Sequence, residues 1–103
     1  MYIVVFVTCA NKKEAEEIAS FLVRKKLAGC VNIIEKIDSI FWWQKKIEKT
    51  KESLLIIKSK GDKFAQLIKM VKRIHSYRVP EIIAIKIFKG EKDYLNWLDG
   101  YIK

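Results

Sequence analysis

Apolar positions change period along this chain, and the changes mark its elements. Residues 2–8 (Tyr2-Ile3-Val4-Val5-Phe6-Val7-Thr8) are β-branched or aromatic without a break, which predicts a first strand buried on both faces. Asn11, with Glu14 three residues later, resembles a capping box. Ala15, Ile18, Ala19, Leu22, Val23 and Leu27 then recur at helical spacing, and Gly29 suits the C-terminal cap. Residues 30–44 read as a long strand bent near Asp38-Ser39, Gln44-Lys45-Lys46 as a turn, and 47–60 as a second long strand. Both strands are about twice the usual length. Gly61-Asp62 opens a second helix with Phe64, Leu67, Ile68, Val71 and Ile74 inward. Pro80 ends the connection, Glu81 to Phe88 is a fourth strand, and a last helix after Gly90 carries Tyr94, Leu95, Leu98 and Tyr101 on its apolar side.

The order βαββαβ plus a terminal helix predicts an α+β fold. It is a single ferredoxin-like sandwich over 1–103, with an antiparallel four-stranded sheet and two helices on one face. The first two strands run parallel in that topology, so Cys9 and Cys30 fall at opposite ends of the sheet and cannot form a disulfide within one subunit. The long hairpin overhangs the sheet and carries Phe41, Trp42 and Trp43. An exposed aromatic edge is a liability that chains normally cover. Strand pairing between subunits is the economical cover, so an oligomer is expected.

Charge adds a local feature. The chain has 103 residues and a net charge of +9, of which residues 41–78 carry +8. Only three of the basic residues are arginine (Arg24, Arg73, Arg78), whereas readers of nucleic acid lean on arginine. A solvated lysine surface of the kind thermostable proteins display accounts for the excess. The opening residues lack a basic leader and their apolar run is too short to span a membrane, which predicts a cytoplasmic protein.

The loop His75-Ser76-Tyr77-Arg78-Val79-Pro80-Glu81 gathers the only histidine with a phenol, a guanidinium and a carboxylate. His75 either caps a helix C-terminus or ligates a ligand. Glu48, Glu52 and Lys58 share strand parity, and either line a pocket or pair on the surface. One histidine and two separated cysteines cannot close a four-ligand metal site within one subunit, although a site between subunits can draw on them. No RNA-recognition signature, CxxC pair, glycine-rich phosphate loop or nucleophile elbow occurs, so nothing argues for catalysis.

Ser39-Ile40-Phe41-Trp42-Trp43 with Lys46-Ile47-Glu48, and His75-Ser76-Tyr77-Arg78-Val79-Pro80-Glu81, resemble the CutA family of divalent-cation tolerance proteins. Lys26 to Asn32, Glu52, Lys58 and Tyr94 to Leu98 extend the resemblance over essentially the full length. It implies a homotrimer whose hairpins pair across subunits, PII-like in architecture, with no enzymatic activity established for the family. It further implies copper or another divalent metal at clefts between subunits, with no cofactor required for the fold. His75, Cys30 and Glu81 would be the donors, and Trp43, Glu48, Lys58 and Tyr77 would line the cleft. The alternative is a PII-like module binding a small anionic effector or a partner protein, with no specific nucleic acid and no membrane involved. Two departures stand out: Thr8-Cys9-Ala10-Asn11 lacks the proline usual after the first strand, and Ser76 replaces the proline usual after the histidine. The second is expected to loosen the loop holding His75.

Overall fold

A computed structural model describes residues Met1–Lys103. The elements are β1 (Tyr2–Cys9), α1 (Lys12–Arg24), β2 (Cys30–Trp43), β3 (Lys46–Lys60), a 3-10 turn (Gly61–Lys63), α2 (Phe64–Ile74), β4 (Ile82–Lys86) and α3 (Lys92–Tyr101). One antiparallel sheet has the order β2-β3-β1-β4. This is the expected ferredoxin-like α+β arrangement.

β1 alternates strictly: Ile3, Val5, Val7 and Cys9 are buried, and the residues between them are half-buried. The unbroken apolar run therefore has one face under helices and one open, which corrects the expectation of two covered faces. Ile3, Val5 and Val7 meet Leu55 and Ile57 of β3, with Ala15, Ile18 and Leu22 of α1 and Leu67 and Val71 of α2 above them. On the open face Ile83 and Ile85 remain exposed.

α1 stops at Arg24, and Lys26 takes the left-handed backbone (φ 59°) expected of a cap residue. Gly29 is needed for a different reason. A Cβ there would lie 2.5 Å from Leu98 Cδ1, so any larger residue would force that buried side chain to shift where α3 sits against the start of β2. Gly61-Asp62 begins the 3-10 turn, and α2 starts at Phe64 with no side-chain cap.

The overhang is real. β1 pairs with β3 only from Ser53 to Lys60, whereas β2 pairs with β3 out to Trp43↔Lys46. The turn is Gln44-Lys45, both at positive φ (50° and 66°), the twist that suits a two-residue hairpin. The irregularity lies between Ile34 and Ile37, earlier than the predicted bend at Asp38-Ser39. It falls where the sheet narrows from four strands to two. The molecule is 45 Å long but only 25 and 23 Å across, and the hairpin supplies the length.

Candidate functional site

Two loops meet at this site, the Ala10-Asn11 connection between β1 and α1 and the segment that follows α2. Asn11 is extended (φ −161°) and its Oδ1 accepts from the Glu14 N–H at 2.8 Å, a true N-cap. Glu14 reaches back in turn: its Oε1 accepts from the Ala10 N–H at 3.0 Å. Its Oε2 accepts from the Ser76 N–H at 2.8 Å, tying the α1 start to the loop after α2. Burial pushes the Glu14 carboxyl up, but hydrogen bonds from Ser76 and Ala10 outweigh this and hold it below the ordinary range.

His75 is fully buried at its side chain. Its Nε2 lies 2.8 Å from the Thr8 carbonyl oxygen, an acceptor only, so Nε2 carries the proton and donates. Its Nδ1 accepts from the Tyr77 N–H at 3.0 Å. The ring is thus locked as one neutral tautomer. Nitrogen-15 NMR should show a protonated Nε2 and a bare Nδ1; the reverse tautomer would refute the lock.

Beyond His75, the Tyr77 hydroxyl donates to Glu52 Oε2 at 2.6 Å, and Glu52 is only 7% exposed. Burial, then the Glu52 bond and charge, push the Tyr77 phenol up. Cys9 is buried beside the cluster, and burial, then Glu14 and Glu52, raise its thiol to about 12. This group is a hydrogen-bonded lock between β1, α1, β3 and the His75 loop.

The expected site residues are divided by the fold. His75 and Tyr77 come together with Glu52. Cys30 is partly exposed at the far end of the sheet, beside Tyr94, whose phenol is pushed up by burial and then by Cys30. In register Cys9 opposes Ser53 and Cys30 opposes Lys58, on either side of β3 and roughly 16 Å apart along it. Both thiols are free. Lys58 bonds to Asn32, Trp43 and Glu48 lie exposed on the overhang, and Glu81 is exposed just before β4. Within one chain Glu48, Glu52 and Lys58 form no shared pocket, because roughly 33 Å of extended strand separates the outer two.

Sequence reasoning missed Glu14 and Cys9. Cys9 Sγ, a Glu14 oxygen and a His75 nitrogen lie within 4.8 Å of one another, a mixed donor set of the sort that takes zinc or copper. As arranged, these residues do not fit a metal. The Nδ1 lone pair is taken by the Tyr77 N–H, Nε2 carries its proton, and the thiol resists ionisation. The departure at Ser76 carried the one available signal: its N–H, which proline would lack, is accepted by Glu14. The His75 loop is therefore tied down, correcting the expectation that Ser76 loosens it.

Fold and site together define a small split-βαβ protein with an extended aromatic hairpin. Residues 3–100 match the family model described as "CutA1 divalent ion tolerance protein". The chain belongs to that family. It is 46% identical over 103 residues to the divalent-cation tolerance protein CutA of Archaeoglobus fulgidus, covering all of both chains. It is 44% identical over 96 residues to the chloroplastic protein CutA 1 of rice, covering 93% of this chain but 54% of that longer protein. The solved structure of the periplasmic divalent cation tolerance protein CutA from Archaeoglobus fulgidus superposes with a TM-score of 0.97 at 44% identity, over all of both chains.

That description corrects the expectation of a cytoplasmic location. The residues read as lacking a leader form β1, a central strand, and so bear on the sheet and not on destination. No helix is long and apolar enough to cross a membrane.

Proposed function

We propose that this chain acts in divalent-cation tolerance as a homotrimer without enzymatic activity, taking up copper or another divalent metal at clefts between subunits. The observation that carries the reading is the overhang. Its Ile40, Phe41, Trp42, Trp43 and Ile47 are exposed, Trp42 at 71%, on two strands with no third partner. Such a ribbon is marginal alone and gains most by pairing with a neighbouring subunit. Paired hairpins would bring Trp43 and Glu48 of one subunit toward the sheet of another, where Lys58 and Tyr77 line the cleft.

Cys30 and Glu81 are the donors within reach of solvent. His75 joins them only if the Tyr77 N–H releases Nδ1. A copper titration of the wild type, Cys30→Ala and His75→Ala tests this directly. The reading expects Cys30→Ala to weaken or remove copper uptake, with a smaller loss for His75→Ala. Equal stoichiometry and affinity in all three would remove both residues from the metal site.

A further inference from the structure

The cations at the end of α1 stand without carboxylate partners. Ion pairs join Lys51 to Asp38 and Lys60 to Asp99, and neither includes Arg24 or Lys26. Facing them, α3 displays three rings at helical spacing. The Tyr94 and Trp97 centroids are 5.7 Å apart and those of Trp97 and Tyr101 5.4 Å, and Trp97 is 48% exposed. Between these two walls lies a cavity of about 430 Å³, bounded by Val23, Arg24, Lys26, Gly29, Trp97 and Tyr101. Lys26 Nζ is 6.0 Å from the Tyr101 centroid, so cation and ring share the hollow. A helix C-terminus favours nearby cations, which accounts for Arg24 and Lys26 but not for the aromatic wall opposite.

We propose that this hollow binds a small aromatic anion, its planar ring stacked on Trp97 or Tyr101 and its phosphate or carboxylate held by Arg24 and Lys26. The volume lies within the range of small-molecule sites, about 300–1,000 Å³. Guanidinium and ammonium are the two groups that hold phosphate best, by fork and by point charge respectively. Exposed aromatic faces accept any flat ring. One chain supplies every wall, so the proposal stands apart from the metal reading and from the clefts between subunits.

Adenosine 5′-monophosphate, adenosine and inorganic phosphate serve as probes, with the Trp97 indole N–H followed by NMR. The monophosphate is expected to shift that resonance and to bind at least tenfold more tightly than adenosine or phosphate alone. Raising salt should weaken it, because exposed charges are screened. Arg24→Gln with Lys26→Gln should cost tenfold or more, and Trp97→Ala should remove the advantage over phosphate. The exposed double variant keeps the test valid should Trp97→Ala fail to fold. Equal binding of monophosphate and adenosine, or an unmoved Trp97 signal, would overturn the proposal. So would a Trp97 indole shielded from solvent in the oligomer, since a neighbouring subunit would then fill the hollow.

Discussion

Replacing Phe41, Trp42 and Trp43 together by serine is expected to leave a folded monomer. None of the three touches the buried core, which is built from β1, β3, α1 and α2. Their substitution therefore leaves the sheet, and its circular dichroism, close to wild type. In the proposed trimer, what they contribute lies between subunits. Burying one aromatic side chain is worth about 1.5–3 kcal/mol. Losing three removes about 5 kcal/mol or more from each junction, which raises the dissociation constant roughly a thousandfold or beyond. Sedimentation of the variant at low micromolar concentration reads this out, and an unchanged mass would show that the hairpin does not hold the assembly.

Removal of the Glu14 carboxylate is the second large effect. Glu14→Ala leaves the Ala10 and Ser76 amides without their acceptor, at a cost of about 1–3 kcal/mol for each unsatisfied group that water cannot reach. Ser76 is exposed and recovers part of this from solvent, so a loss of about 2–3 kcal/mol is expected in chemical denaturation. Restoring proline at Ser76 removes one donor and should cost less, because the ring also stiffens the unfolded chain. The acid pH profile follows from the direction of the Glu14 shift. Its folded-state value is depressed, so its contribution is complete above the unfolded value of about 4.3 and is lost as pH falls through the folded value. Wild type should therefore lose more stability than Glu14→Gln between about pH 5 and pH 3. Parallel profiles would exclude a stabilising Glu14 anion.

Much of the fold was legible because its signals are local. The Asn11 cap, the helical spacing from Ala15 to Leu22, and the two long runs joined at Gln44-Lys45 each predict their own element. The overhang followed from strand length alone. Less was legible where spacing in sequence does not report proximity. Glu14 and Ser76 are 62 residues apart, and only the sheet order brings the end of β1 beside the end of α2. His75 read equally as a cap or a ligand, since the tautomer is set by the Thr8 carbonyl and the Tyr77 amide. Gly29 read as a helix cap because glycine serves both left-handed turns and close approaches, and here the second applies.

The basic excess also takes a clearer form. Lysines 45, 46, 49 and 51 crowd the overhang, where Lys51 pairs with Asp38 and the others have no acidic partner. Three hairpins brought together would concentrate that charge. Glu48 and Glu52 are the acidic groups on the same strand, and Glu52 is already committed to Tyr77. Assembly should therefore tighten with added salt, as screening reduces repulsion between the lysines.

The solution mass of the wild-type chain tests the central claim most directly. Light scattering at low micromolar concentration should give about three times the 12.1 kDa of one subunit. A clean monomer at that concentration would contradict the account, leaving the overhang uncovered and the clefts between subunits without existence.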